Sequence, residues 1–298
     1  MKKIIFIAFI AISASSCGKL TEGVVRNIDL PPHTAALVGT LFADNSDSSL
    51  YAVISQTRGL LDSNASELLP DAIINLYKDN VLQHSWNTQD AQTGYYPLHL
   101  GDTLGSNEGA YTFEVLHPDF DAITAADQFP PKAIITEAIL NKGAGQVFSL
   151  EADEIIVKLK DITGIDQHYL FSCMVRFVDF AVAQDTSWKR VGLYSDDQRA
   201  TQLSAGGDAI LLSENGIDTD LQISLATSAF LGGSTQEEYE YRLRIKTLSD
   251  EGLNYYRSIS SYQTAQNNPF SEPVVIYSNV EGGYGVFALS RTVETILP

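Results

Sequence analysis

Short apolar stretches alternate with polar turn sequences along most of the chain. They are rich in β-branched and aromatic residues, and clusters of Gly, Asn, Asp and Pro separate them, a pattern that predicts β-strands. No apolar repeat in the first half keeps a 3.6-residue period, which disfavours crossover helices and α/β folds. The clearest stretches in this half are Ala35 to Phe42, Leu50 to Ser55, Ala72 to Tyr77 and Ala110 to Val115.

The same pattern resumes in the second half, where Tyr239 to Lys246 is its plainest example. Apolar residues alternate there with Glu240, Arg242, Arg244 and Lys246. This alternation predicts a strand with one buried face and one face in water. Two final strands, Val274 to Ser278 and Val286 to Leu289, are predicted to form a closing hairpin.

A helical pattern begins at Ser249. Leu253, Tyr256, Ile259 and Tyr262 recur every three residues, and acidic residues fill the first turn. Ser249 is a suitable N-cap, and Asn267-Asn268-Pro269 is a suitable stop. The sequence therefore predicts a helix near 250–266.

These elements predict an all-β, mostly antiparallel protein with two domains. Residues 31–143 are expected to form an immunoglobulin-like β-sandwich, because short strands and turn signals alternate through them. Residues 144–298 are expected to form a second β-rich sandwich or barrel, which carries the helix and the closing hairpin.

The first residues have the features of a secretory signal. Lys2 and Lys3 precede an apolar run from Ile4 to Ile12, and small residues lead into Cys17. We expect residues 1–16 to be a signal peptide, Cys17 to be lipidated like the cysteine of a bacterial lipobox, and residues 17–30 to be a tether. The alternative is a plain signal peptide, cleaved near Ser16, with an unmodified cysteine.

The charge and the cysteine count narrow the choice of function. The chain has 19 Lys and Arg against 37 Asp and Glu, a net charge of −18, which disfavours nucleic-acid binding and attraction to anionic lipids. Only Cys173 follows Cys17, so an exported protein lacks an intramolecular disulfide. Cys173 lies in an apolar strand pattern and is expected to be a buried, inert thiol.

Known catalytic motifs are absent from the sequence. It has no serine nucleophile elbow, phosphate-binding loop, dinucleotide fingerprint or paired-histidine zinc helix. The five histidines lie in separate segments, so neither a metal nor a cofactor is expected. Trp86 and Trp188, in polar surroundings, are candidates for contact with a ligand or partner; the alternative is partial burial.

The end of the chain carries a motif from Pro269 to Val274 and from Tyr277 to Phe287. Together with Tyr255-Tyr256, Gln263 and the cysteine at position 17, it resembles the closing signature of Gram-negative outer-membrane lipoproteins catalogued as domain of unknown function 4249. The resemblance implies a role in uptake, because such proteins are usually encoded beside TonB-dependent receptors. It implies no catalytic residue, because no activity is established for the family. The signature positions are Tyr277, Asn279, Gly282, Gly283, Gly285 and Phe287.

The signature itself has a structural explanation. Gly282 and Gly283 are expected to supply positive φ in a tight turn, with Tyr277 and Phe287 packed on the core. A loop that cradles a ligand is the alternative, since glycine lets a backbone approach a ligand closely.

The expected function is therefore non-enzymatic. We expect a lipid-anchored outer-membrane protein that serves a TonB-dependent receptor as an accessory or substrate-binding partner. A free-standing carbohydrate-binding or adhesion module is the first alternative, and a hydrolase with an unrecognised site is the second.

Overall fold

The computed structural model describes most of the chain beyond the predicted tether. The predicted signal peptide, Cys17 and tether lie outside the described residues. One compact unit is formed by Ala35–Arg58 and Asp62–Pro298. The described residues are 33–59, 68–88, 95–101, 104, 109–160, 162–177, 187–203, 209–213, 220–227, 239–266 and 270–298.

Within these ranges the structure has seventeen strands and one helix, which confirms the all-β fold class and the predicted helix. The strands are β1 (Leu37–Asp44), β2 (Ser49–Gln56), β3 (Ile73–Lys78), β4 (Val81–Asn87), β5 (Tyr96–His99), β6 (Ala110–His117), β7 (Phe120–Gln128), β8 (Ile135–Val147), β9 (Leu150–Leu159), β10 (His168–Phe177), β11 (Lys189–Val191), β12 (Leu193–Tyr194), β13 (Ala200–Gln202), β14 (Ala209–Ser213), β15 (Leu221–Thr227), β16 (Tyr239–Leu248) and β17 (Tyr284–Leu297); the helix is α1 (Asp250–Gln266).

One large sheet runs through the molecule, and two four-stranded sheets accompany it. The large sheet has the order β13-β14-β10-β16-β17-β1-β2-β5, with β11 also paired to β10. The smaller sheets are β4-β3-β6-β7 and β12-β15-β9-β8. The described strand pairs are antiparallel except for β1 and β17, which run parallel with Leu41 opposite Phe287.

Two hydrophobic cores lie against the large sheet, and β17 contributes to both. Phe287 and Leu289, near its start, belong to the first core with β1, β3 and β6. Leu297, at its end, belongs to the second core with β9, β10 and β16. The predicted boundary between residues 143 and 144 falls inside β8, and the division into two domains stays a prediction.

The prediction of a closing hairpin is wrong. Residues 272–280 form no strand: β1 pairs with β17 from Tyr284 to Ser290, and only the side chain of Asn279 hydrogen-bonds to the backbone of Phe287. The segment lies instead beside the helix, where the Tyr277 N–H donates to Ser258 Oγ at 3.0 Å. The Tyr277 hydroxyl also donates to Glu251 in the first turn of the helix.

Helix α1 begins where the sequence predicts. The Gly252 N–H donates to Ser249 Oγ at 3.2 Å, so Ser249 is the N-cap. Leu253 packs with Leu211 and Leu248 on the outer face of the large sheet, and Tyr255 contacts the ring of Phe42. In the described part of the chain, no helix has the length and apolarity needed to cross a membrane.

Candidate partner-binding surface

The outer face of β10 and β16 carries a group of cations. In both strands alternate residues fill the second core, so the intervening side chains point outward. Register places Met174 opposite both Arg190 of β11 and Arg242 of β16. We call this surface the basic face, and its cations are Arg176, Arg190, Arg242, Arg244 and Lys246.

Trp188 lies at the centre of the basic face. The guanidinium carbon of Arg242 lies 4.2 Å from the centroid of its ring, and that of Arg176 lies 4.6 Å away. These are cation–π distances, and the aromatic ring also helps two like charges to stay close. Trp188 remains partly exposed, so it presents an aromatic surface framed by cations.

Carboxylates neutralise part of the basic face. Arg176 pairs with Glu240, and Arg244 pairs with Glu294 on β17 at 2.6 Å. Lys246 lies 3.9 Å from Asp44, so five cations face three carboxylates here, whereas the whole chain has almost twice as many acidic as basic residues. The charge of this surface is opposite in sign to that of the chain.

Trp86 lies elsewhere and is held by its neighbours. It belongs to β4 and packs against the first core, with its ring stacked on His84 at a centroid distance of 5.2 Å. Its indole N–H donates to the carbonyl of His99 at 3.0 Å. Partial burial lowers the pKa of His84, and the structure does not bring Trp86 to the basic face.

The signature residues join β17 to the first core. Asn279 Nδ2 donates to the carbonyl of Phe287 at 2.9 Å, and Asn279 Oδ1 accepts from the Phe287 N–H at 3.0 Å. The Phe287 ring is fully buried and stacks on Phe113 at a centroid distance of 5.6 Å. These contacts hold the segment before β17 against the strand itself.

The glycines of the signature permit the parallel pairing with β1. Gly282 and Gly285 have φ of +81° and +124°, values that glycine accommodates best. A Cβ on Gly285 would overlap the carbonyl oxygen of Gly39, and one on Gly283 would overlap that of Leu37. The expectation of positive φ at Gly283 is wrong: its requirement is close backbone approach rather than an unusual φ.

Comparison with protein families gives a match over nearly the whole fold. The family model described as Domain of unknown function (DUF4249) matches residues 27–296. The chain belongs to this family. A comparison with curated protein sequences finds no match. The matched region contains the first core, nearly all of the second core and the complete closing signature of this DUF4249 protein.

A cleft of about 730 Å³ near the start of α1 bears on the hydrolase alternative. It is lined in part by Asp127, Asp166, Asp250 and Glu251, and burial raises the pKa of Asp127 to about 6. The Asp127 carboxylate, however, accepts from Ser249, from the Leu289 N–H and from the Gln128 N–H. In this DUF4249 protein the carboxylate thus links secondary-structure elements, and the described residues contain no cluster of three or more metal-ligating side chains.

Sequence reasoning identified Trp188 but not its basic surroundings. The alternation of apolar and charged residues in β16 was visible in the sequence, and it predicted that one face of this strand is exposed to water. Arg176 and Arg190 belong to other strands, so their proximity to Trp188 depends on strand order. The one local signal was the run Trp188-Lys189-Arg190, in which two cations follow a tryptophan in an acidic chain.

Proposed function

We propose that this protein is a non-enzymatic, lipid-anchored outer-membrane protein that works as an accessory of a TonB-dependent uptake receptor. It docks on the receptor through the basic face, with Trp188 as the central anchor. The observation that carries this proposal is the concentration of cations around a partly exposed tryptophan in a strongly acidic chain.

Composition favours a protein partner for this surface. Trp and Arg are the residues most enriched among those that dominate binding energy at protein interfaces. The overall negative charge opposes contact with anionic lipid, while the local positive charge orients the molecule toward an acidic patch on a partner. Arg242 and Arg176 are already ordered against the Trp188 ring, which lowers the entropy lost on binding.

The anchor limits where such a partner lies. A tether of residues 17–30, fully extended, reaches about 50 Å at most. The fold therefore stays near the membrane surface, where the extramembrane loops of a receptor are accessible. Acylation of Cys17 supplies the attachment, since each buried CH₂ group contributes ~0.8 kcal/mol.

Affinity purification from solubilised outer membrane tests the partnership. The wild-type protein should retain a TonB-dependent receptor, and Trp188→Ala and Arg242→Glu should each reduce the retained receptor by about tenfold or more. Arg257→Glu, on the exposed surface of α1, is the matched control and should retain the receptor. Higher salt should slow association of the wild type, because the basic face attracts its partner electrostatically.

Two results would overturn the proposal. One is a wild-type protein that stays monomeric beside its solubilised receptor at micromolar concentration. The other is equal retention by Trp188→Ala, provided that its unfolding temperature equals that of the wild type.

The anchor has a separate test. Cys17→Ala should move the protein from the membrane fraction to the soluble fraction, or leave it with an uncleaved signal peptide. A Cys17→Ala protein that has lost its signal peptide and still fractionates with the membrane would contradict lipidation at this cysteine.

A further inference from the structure

A second cleft, of about 550 Å³, opens on the outer face of the sheet β12-β15-β9-β8. Its floor contains Glu154 of β9 together with Gln222 and Ser224 of β15. One wall is residues 144–146 of β8, and the other is residues 194–197. The cleft is formed by a different sheet from the one that carries the basic face.

An irregularity in β8 creates the first wall. Asn141 is opposite Glu154 and Gly145 is opposite Ala152, so four steps along β8 match two along β9. The extra residues bend β8 away from a flat sheet, as β-bulges do. Gly145 lies so close to β9 that an added Cβ would be 3.1 Å from the Asp153 carbonyl oxygen.

The polar groups of the floor are fixed before any ligand arrives. Glu154 accepts from Ser224 Oγ at 2.5 Å and from Asn141 Nδ2 at 3.1 Å. These hydrogen bonds lower the pKa of Glu154, so the carboxylate is ionised at neutral pH. Ser195 Oγ donates to the carbonyl of Ser224 at 2.8 Å, which joins the second wall to the floor.

The second wall is ordered by an arginine. Arg199 forms a bidentate ion pair with Asp197. Its Nε lies 2.9 Å from one carboxylate oxygen, and a terminal nitrogen lies 2.6 Å from the other. The same arginine reaches the carbonyl of Gln222 at 3.4 Å. The polar side chains around the cleft thus form one connected, pre-organised network, which is typical of a binding site.

One aromatic ring lines this cleft, and a second ring lies against it. Tyr194 lines it, and the Phe148 ring meets Tyr194 edge-on at a centroid distance of 5.2 Å. Phe148 is 81% exposed and has a φ of +50°, followed by Ser149 at +66°. Turns of this kind favour Asn-Gly, so an exposed phenylalanine here is unfavourable both for the backbone and for solvation.

We propose that this cleft binds a neutral saccharide. A sugar ring offers hydroxyl groups that can donate to the Glu154 and Asp196 carboxylates and exchange hydrogen bonds with the Gln222 amide, and it offers an apolar C–H face that can lie on Tyr194 or Phe148. Phosphate and carboxylate ligands are disfavoured by the carboxylates that line the cleft. Purely apolar ligands are disfavoured because they would leave the polar floor without hydrogen-bond partners.

This inference stands apart from the receptor partnership, because binding is measured without a receptor. The test uses the purified full-length lipoprotein in a detergent without sugar headgroups, and titration calorimetry with maltohexaose, cellohexaose, xylohexaose and laminarihexaose as probes. Polygalacturonate serves as the anionic comparison. At least one neutral oligosaccharide should bind, and polygalacturonate should bind more weakly.

Two variants assign the binding to this cleft. Phe148→Ala and Glu154→Gln should each weaken binding by about tenfold, because they remove the stacking surface and an ionised acceptor. Tyr51→Ala, at an exposed tyrosine of β2, is the control and should bind like the wild type. Phe148 is so exposed that its replacement leaves both cores intact, so this variant decides the question if Glu154→Gln fails to fold. Failure of all four neutral probes, or unchanged binding by Phe148→Ala, would overturn the proposal.

Discussion

Asp127 and Ser249 are 122 residues apart in sequence, yet Ser249 Oγ donates to Asp127 Oδ2 at 2.6 Å. The same oxygen accepts from the Leu289 N–H at 2.7 Å. One carboxylate therefore connects β7, the N-cap of α1 and the middle of β17. Burial of the Asp127 carboxyl group disfavours its ionised form. The hydrogen bonds that it accepts and the N-terminus of α1 favour that form.

The raised pKa of Asp127 predicts a specific pH dependence of stability. Its usual pKa is 3.8 and its folded pKa is about 6, so between these values the folded state binds more protons than the unfolded state. The free energy of unfolding contributed by Asp127 should then fall as pH rises from about 4 to about 6 and stay constant above, by on the order of 1–3 kcal/mol. Urea unfolding at pH 4.5 and pH 7 measures this change.

Asp127→Asn should remove that contribution, whereas Asp121→Asn, an exposed carboxylate on the same strand, should preserve it. Comparison of these variants cancels the effects of other titrating groups, such as His168, whose pKa is lowered by burial. An unchanged pH dependence in Asp127→Asn would show that another group is responsible.

Substitution of Gly285 should be severely destabilising. Gly285→Ala combines a φ of +124° with overlap against the Gly39 carbonyl, so we expect a loss of more than about 3 kcal/mol. Gly164→Ala is the control. Gly164 also has a positive φ, +81°, but an added Cβ would have no neighbour within 4 Å. It should lose only about 1 kcal/mol in thermal or chemical unfolding. Equal losses would mean that steric overlap with β1 is unimportant.

Gly283→Val tests steric overlap at a glycine that does not need a positive φ. Its backbone is not in the left-handed region, but a side chain would meet the Leu37 carbonyl and the Ile123 side chain. We expect destabilisation on the order of 1–3 kcal/mol from overpacking alone. A variant that melts like the wild type would show that β1 and β17 can move apart at this point.

Asn279 should contribute more to stability than an exposed asparagine. Asn279→Ala would leave the Phe287 N–H and carbonyl without their side-chain partners, at a cost of about 1–3 kcal/mol. Asn87→Ala, on the exposed side of edge strand β4, should be nearly neutral. Differential scanning calorimetry of both variants tests this, and indistinguishable melting temperatures would contradict it.

The thiol of Cys173 should be unreactive in the folded protein. It is buried in the second core, and burial raises its pKa to about 12, so almost no thiolate forms near neutral pH. A chain with Cys17→Ala has this one cysteine, and it should react with Ellman's reagent at pH 8 only after guanidinium is added. Full labelling of the folded variant within minutes would contradict the buried position.

Local features of this fold were predictable from its sequence. The alternation in β16, the Ser249 cap and the end of α1 each depend on neighbouring residues, and the structure has all three. The pairing of β17 with β1 was not predictable, because Gly39 and Gly285 meet only through a contact between distant parts of the chain. The predicted hairpin failed for a related reason: Val274 to Ser278 is locally strand-like, but hydrogen bonds from Tyr277 to Ser258 and Glu251 hold this segment beside α1.

Of the two candidate surfaces, one was partly predictable from the sequence and the other was not. Trp188 stood out because tryptophan is rare in this chain and lies in a polar segment. The saccharide cleft gave no recognisable sequence signal, since Glu154, Ser195 and Ser224 are common residues whose significance comes from their hydrogen bonds across three strands and a loop. Phe148-Ser149 is the one local clue, because that pair is unusual at a hairpin turn.

The contact between β1 and β17 also determines when this protein can fold. Ser290 Oγ donates to Asp44 Oδ2 across 246 residues, and the first core is incomplete without Phe287 and Leu289. Bringing such distant parts of the chain together slows folding. Before β17 pairs, β1 and β16 each have an unpaired edge, and unpaired strand edges favour aggregation. The first core therefore cannot be completed until the last strand has been synthesised, so its folding is a late event. The yield of refolded protein should accordingly fall as protein concentration rises. A chaperone that binds the unpaired strands should restore this yield.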